Sequence, residues 1–338
     1  MSIISFGTLS SRVLGFIRDI ILAKFLGTGI QADALFVAFR IPNLFRDFVG
    51  EGATNSAVVP VFSEYLVKEE RERFWRFVSG VLVLAIFVLT ALSILGVLLA
   101  PLIVRLIAPG FVENPEKLAL TVSLTRILFP YLLFIGLTAY SMAVLFTFRR
   151  FTVPSFSPCL LNLAIIVSAV YSFWCMKDPV YGIAAGMLVG GFLQMAVQVR
   201  PLYRIGFKLQ SPVSWRHPGI QQIWTLLIPR MVGAGVYQLM IFVDTFCASL
   251  ASIVGAGGIS AIYYSNRIIQ LPMGVFSIAL ASAVLPTLSS LAAEQNTARL
   301  RQTIVFALEN MFFIMIPVSV VTMILSRPMI HVLFQRGE

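Results

Sequence analysis

Arginine and carboxylate side chains, set where a membrane span should be apolar throughout, are the first chemistry this sequence offers. Residues 1–66 carry Arg12, Arg18, Asp19, Lys24, Asp33, Arg40, Arg46, Asp47, Glu51 and Glu64 in otherwise apolar surroundings. Arg230, Asp244 and Arg267 follow later, and Arg267 stands alone between the uncharged stretches 245–266 and 268–293. A charge at the centre of a spanning helix costs about 2.5–3.5 kcal/mol on insertion scales, so such residues are expected to face a water-filled cavity or one another. Arginine adds a planar, always-charged fork of donors that matches phosphate oxygens. The chemistry this implies is anion binding inside a membrane. Near helix ends, Arg12, Arg18 and Arg46 have a plainer alternative, which is to snorkel to lipid headgroups. On an ideal helical wheel Asp33, Arg40, Asp47 and Glu51 fall within about 40° of one another. Pro42 and Gly50-Glu51-Gly52 are placed to break that register.

Other chemistries find little support. Cys159, Cys175 and Cys247 lie in apolar segments without CxxC spacing, and His217 and His331 are far apart, so no metal site is expected. A phosphate-cradling P-loop is absent from the sequence. A membrane enzyme acting on a phospholipid-linked substrate would need clustered carboxylates in a cytosolic loop. Glu69, Glu70 and Glu72 instead sit beside Arg71 and Arg73 and read as solvated charges. The net charge of +10 could suggest nucleic acid, but the charges fall mainly in short connections between apolar runs, so no nucleic-acid partner is expected.

Those residues are positioned by a polytopic bundle. Of 338 residues, 58% are hydrophobic and 12% charged, too few charges to cover a water-soluble surface. Residues 77–104, 127–148, 151–176, 179–199 and 268–293 contain no Asp, Glu, Lys or Arg. Each suffices for a helix of roughly 20 residues across a bilayer, and barrel strands would be about half that length and alternating. The sequence predicts helices at about 3–27, 30–66, 76–108, 117–148, 154–176, 179–200, 219–250, 258–291 and 300–326, with no removable signal peptide.

Alternate connections differ in charge. One set carries Lys68, Arg71, Arg73, Arg76, Arg149, Arg150, Arg200, Arg204, Lys208, Arg216, Arg299 and Arg301. The other carries only Arg105, Lys117, Lys177 and Arg327. This asymmetry is expected to place the first set and the N-terminus on the cytoplasmic side of the membrane.

The chain also echoes itself. At an offset of 227 residues, Ala34 to Val37 and Arg40-Ile41 fall on Ala261 to Tyr264 and Arg267-Ile268. Ala57 to Pro60 fall on Ala283 to Pro286 at an offset of 226, and Pro101 to Gly110 on Pro328 to Gly337 at 227. Six helices precede the repeat point, so the copies enter the membrane from the same side, as a parallel repeat. The expected fold is all-α, a polytopic transmembrane helix bundle. Its organisation is a six-helix lobe with its following loop over 1–218 and a partial second lobe over 219–338. Two full lobes would need roughly 450 residues. The chain is therefore expected to be a fragment.

Several long motifs carry a resemblance. Ser11-Arg-Val-Leu-Gly-Phe-Ile-Arg-Asp19, Ala32-Asp33-Ala34, Phe39-Arg-Ile-Pro-Asn-Leu-Phe-Arg46, Gly50-Glu-Gly-Ala53 through Val59-Pro60, and Tyr264-Ser-Asn-Arg-Ile-Ile-Gln-Leu-Pro272 closely resemble the MurJ (MviN) family. That family flips lipid II, the undecaprenyl-pyrophosphate-linked peptidoglycan precursor, and is related to the MATE exporters. The resemblance implies a transporter rather than an enzyme, with lipid II and membrane lipids as partners. It implies cavity arginines at Arg12, Arg18, Arg46 and Arg267, with Asp19 and Asp33 as nearby acids. Arg40, Asn43 and Glu51 belong to the same motifs and join the candidate substrate-binding set. Arg18, Arg46 and Arg267 are expected to converge on one pyrophosphate. Asn266 and Gln270 stand where relatives often have Asp and Glu, which makes that locality more positive. A monovalent cation such as sodium is implied at an acid of the seventh span, for which Asp244 is the candidate. The rival functions are a flippase for another polyprenyl-pyrophosphate glycan, a drug exporter, a membrane enzyme on the same lipid, or a membrane scaffold.

Overall fold

The computed structural model describes residues 2–49, 51–211, 213–214 and 217–334. Among them every regular element is a helix, and the chain is a multi-pass membrane protein. The helices are α1 (Ser2–Leu26), α2 (Ile30–Val49), α3 (Glu51–Lys68), α4 (Arg71–Ile107), α5 (Pro115–Leu128), α6 (Tyr131–Thr147), α7 (Thr152–Cys175), α8 (Pro179–Arg204), α9 (Pro218–Ser249), α10 (Ala251–Val254), α11 (Gly258–Pro272), α12 (Ile278–Ala293), α13 (Thr297–Ile324) and α14 (Ser326–Phe334). Six paths are long and apolar enough to cross a membrane by themselves: α4, α5 with α6, α7, α8, α9 and α13. The expected spans in α1, α2–α3 and α11–α12 are not among these six.

Three expected spans differ in detail. The span over 117–148 is two helices, because Pro130 has no N–H to return to Arg126 and the chain turns at Phe129–Pro130. The span over 258–291 is interrupted by a π-helical turn, Met273–Ser277, directly after Pro272. The span expected from residue 76 begins at Arg71, so α4 has 37 residues. At 1.5 Å per residue it is about 55 Å long and outreaches a hydrocarbon core of about 30 Å. Its first turns hold Arg73 and Arg76, paired with Glu69 and Glu72 at 3.8 and 2.6 Å.

The chain forms two compact units, Met1–Ser260 and Ala261–Glu338. Within the first unit α9 packs on α2, α3 and α4. Small residues set how closely the first unit's helices approach. Gly182, Gly186 and Gly190 form a stripe on α8 that faces α7. A Cβ at Gly182 or Gly186 would lie 1.9 Å from the hydroxyl oxygen of Ser172 or Ser168. Between spanning helices, where the lipid is as apolar as the side chains, such close backbone contact drives association. Gly96 of α4 has the same role, leaving room for the Phe129 ring at the α5–α6 turn.

An aromatic cluster joins α3, α4, α6 and α9. Phe62 is edge-on to Phe74, Phe77 and Tyr140, and Trp75 stacks on Phe148 at 5.4 Å. The buried Tyr140 hydroxyl donates to the Val78 carbonyl at 2.9 Å. In the second unit α13 packs on α12 and the π-helical turn, and Tyr264 stacks on Phe334 at 5.0 Å.

Candidate functional site

Arg18 lies on the face of α1 that packs on α7. Gly7, Ser11 and Gly15 repeat on that face at four-residue spacing and let the helices close; a Cβ at Gly7 would lie 2.7 Å from Ser155. Arg18 is 8% exposed, and its guanidinium is held at both ends. Its Nε and Nη2 donate to Asp19 Oδ1 at 2.9 and 2.8 Å, and its Nη1 donates to Asn162 Oδ1 at 3.0 Å. Asn162 in turn donates from Nδ2 to the Ser11 carbonyl at 3.0 Å. Asp19 is 1% exposed. The arrangement is a fixed guanidinium on α1, with a carboxylate and a neutral amide among its partners. Such donors are suited to orient phosphate oxygens without an entropic cost at the moment of binding.

Asp33, near the start of α2, forms a second buried cluster. Its Oδ2 accepts from Lys117 Nζ of α5 at 2.6 Å, with the side chains 2% and 14% exposed. Its Oδ1 accepts from the Ser260 N–H at 2.8 Å and from the Ser260 hydroxyl, in the first turn of α11. Lys117 Nζ also lies 4.1 Å from the centre of the Phe111 ring, a cation–π contact. Asp33 and Ser260 are separated by 227 residues, the repeat offset, so the contact joins repeat-equivalent positions.

The remaining sequence candidates are divided between the two units. Arg40 donates from Nη1 to the Thr245 hydroxyl of α9, while Asp33 turns to α5 and α11. Sharing one face of an ideal wheel therefore does not bring the two into one cluster. Asn43 has a buried side-chain oxygen without a hydrogen-bond partner among the described residues. Arg12 is exposed on α1, and Asp244 is half-buried on α9. The side chains of Arg46, Asp47 and Glu51 lie outside the described residues. In the second unit Arg267 is half-buried. Its Nη2 bonds the Tyr263 hydroxyl at 3.0 Å, its Nη1 donates to Gln270 Oε1 at 3.1 Å, and its guanidinium lies 4.9 Å from the Tyr263 ring. Gln270 thus serves as a neutral acceptor for Arg267.

Sequence reasoning missed three residues of this chemistry. Asn162 and Lys117 lie 144 and 84 positions from the side chains they bond, and no local pattern announces either. Arg126 had a signal: it is the only charge between Lys117 and Arg149, in the helical path Pro115–Thr147, and its side chain is exposed.

The bundle has the fold of MATE-type transporters. An inward-facing multidrug resistance MATE transporter matches 97% of this chain and 73% of its own, with a TM-score of 0.76 at 16% identity. The chain belongs to the lipid II flippase MurJ family, whose family model matches residues 22–338. A solved lipid II flippase MurJ in an inward closed conformation matches all of this chain and 68% of its own, with a TM-score of 0.83 at 28% identity. Among curated relatives, the probable lipid II flippase MurJ of Buchnera aphidicola (strain APS) is 34% identical over 99% of this chain. That of Vibrio cholerae is 35% identical over the same share. The chain spans 65% of the length of each of these two relatives.

Proposed function

We propose that this chain acts in moving lipid II from the cytoplasmic to the periplasmic leaflet of a bacterial inner membrane, by alternating access. One observation carries the reading at the site: Arg18, an obligate cation, is buried and fixed on α1 of a chain that belongs to a family of lipid II flippases. A pyrophosphate is the part of lipid II that calls for such a group. Arg12, Arg46 and Arg267 are further candidates for the anionic headgroup, with Arg40, Asn43, Asp19, Asp33 and Glu51 as the polar residues of the same motifs. The charge asymmetry of the connections supports a cytoplasmic N-terminus.

No step is assigned to a bound cation. The only carboxylate offered at the candidate position is Asp244, and the adjacent Thr245 hydroxyl already accepts from the Arg40 guanidinium. Among the described residues no group of three His, Cys, Asp or Glu side chains could hold a metal ion. Asp244 remains the candidate acid for a monovalent cation such as sodium.

The test is lipid binding to the purified protein in nanodiscs, followed by native mass spectrometry. Lipid II should be retained in preference to phosphatidylglycerol, and the preference should fall in the Arg18→Ala variant. Equal retention of both lipids by the unaltered protein would refute the proposal.

A further inference from the structure

We propose that the turn between α6 and α7, together with the end of α8, binds the phosphate of an anionic phospholipid headgroup, with Arg149 as its central cation. The site lies wholly within the first unit and does not depend on the reading of Arg18. The turn, residues 148–151, joins the end of the apolar path Pro115–Thr147 to the start of the span Thr152–Cys175, so it lies at the edge of the membrane.

The backbone supplies the first observation. At the end of α6 the Arg149 N–H donates to the Phe146 carbonyl at 2.9 Å, and the Arg150 N–H to the Leu145 carbonyl at 2.8 Å. The end of α8 repeats the pattern. The Gly206 N–H donates to the Tyr203 carbonyl at 3.0 Å, and the Phe207 N–H to the Leu202 carbonyl at 3.1 Å. This closure needs a left-handed residue just past the helix, a place usually filled by glycine and sometimes by asparagine. α8 has Gly206 there, with a φ of 87°, whereas α6 has Arg149, with a φ of 55°. An arginine keeps that conformation at a cost that glycine avoids. Arg149 and Gln295 are the non-glycine residues with positive φ among those described, and only Arg149 is charged. Backbone strain kept at an exposed cation is a sign that the side chain has a use.

Charge supplies the second observation. Phe148 and Phe207 both lie against Trp75, one stacked at 5.4 Å and the other edge-on at 5.6 Å. Trp75 thereby brings the two helix ends to one corner. Arg149 and Arg150 follow Phe148, and Arg204 and Lys208 stand on either side of Phe207. All four side chains are exposed, and none makes an ion pair among the described residues. The neighbouring cations Lys68, Arg73 and Arg76 instead pair with Glu64, Glu69 and Glu72, which leaves Glu70 as the remaining acid of that stretch. Unpaired cations gathered at the membrane edge repel one another and gain from a shared anion, and the anion abundant at that depth is the phospholipid phosphate. The negative ends of α6 and α8 also favour cations, but that attraction does not call for one on a left-handed residue.

The experiment titrates the delipidated full chain in detergent with phosphatidylglycerol, phosphatidylcholine or undecaprenyl pyrophosphate, read by native mass spectrometry. The thermal midpoint of each variant is taken without added lipid. Arg149→Gly is expected to weaken the first bound phosphatidylglycerol about fivefold, the effect of one basic residue near an anionic surface, and to leave phosphatidylcholine unchanged. Its thermal midpoint should rise, because glycine relieves the left-handed residue. Arg149→Lys keeps the charge and should keep most of the affinity. Lys177→Ala removes an exposed cation at the other end of α7 and should leave the affinity unaltered. Unaltered phosphatidylglycerol binding in Arg149→Gly, or an equal loss in Lys177→Ala, would overturn the site. A lowered midpoint in Arg149→Gly would show that the arginine serves the helix end, and would overturn it as well. Loss of undecaprenyl pyrophosphate binding alone would assign the corner to a different anion and overturn the headgroup proposed.

Discussion

Removing one half of the Asp33–Lys117 pair leaves an ammonium with little access to water. The Nζ–Oδ2 distance is 2.6 Å and the two side chains are 14% and 2% exposed, so solvent screens the pair weakly. Breaking a buried pair from one side costs about 3–5 kcal/mol, whereas replacing both partners by neutral groups of similar shape is often close to neutral. Asp33→Asn is the mild perturbation, since an amide oxygen can still accept from the Ser260 N–H. It is expected to destabilise by about 3 kcal/mol, near the low end of that range. Lys117→Met alone leaves the carboxylate with its two Ser260 donors and should cost less, roughly 1–2 kcal/mol. The double variant Asp33→Asn/Lys117→Met should recover most of the Asn variant's loss. Fluorescence-detected size exclusion after graded heating reads all four proteins. A double variant as unstable as the sum of the two singles would refute the reasoning, because it would show that the two charges do not act on each other.

Three further outcomes follow from the same structure. Gly186→Ala should destabilise by about 1–3 kcal/mol through overpacking. Its Cβ would lie 1.9 Å from the Ser168 hydroxyl oxygen, so adding Ser168→Gly should restore the thermal midpoint; failure to restore it would place the strain elsewhere. His217 accepts from the Gly219 N–H at 3.2 Å and stacks on Phe77, and burial pushes its imidazole below the ordinary value of 6.5 despite the opposing Glu69 charge. The unfolded chain therefore binds the proton more readily. The stabilisation is complete above about pH 6.5 and is lost as pH falls toward the depressed folded value. His217→Asn should flatten that part of the stability profile. Single cysteines at 201–211 should be labelled only from the cytoplasm, and those at 251–257 only from outside; labelling of 201–211 in intact cells would reverse the assigned orientation.

Much of the bundle could be read from residue type alone, and the reasons are physical. Apolar runs without charges at 77–104 and 179–199 leave a helix no alternative to spanning, and α4 and α8 occupy them. The proline breaks were harder. Pro42, Pro101 and Pro158 sit inside continuous helices, while a turn occurs at Pro130 and a π-helical turn follows Pro272. Which outcome applies depends on tertiary contacts such as Phe129 against Gly96, and these have no local signature. The site follows the same rule. Arg18 and Asp19 bond directly, yet adjacent positions on a helix do not face each other, so spacing alone does not announce their pairing. Asp33 was expected in a cavity set, yet both its oxygens are engaged by Lys117 and Ser260. Only packing brings those partners to it.

The most direct measurement of the central claim is lipid II exposure at the outer leaflet of cells whose sole copy of this protein carries Arg18→Ala, Arg267→Ala or Arg71→Ala, with protein abundance measured in parallel. Arg71 donates to the Ile205 carbonyl at an exposed position outside the spans, and its variant should be nearly silent. Arg18→Ala and Arg267→Ala should each lose exposure at normal abundance. Normal exposure in both would contradict the claim and leave these arginines as structural or headgroup anchors.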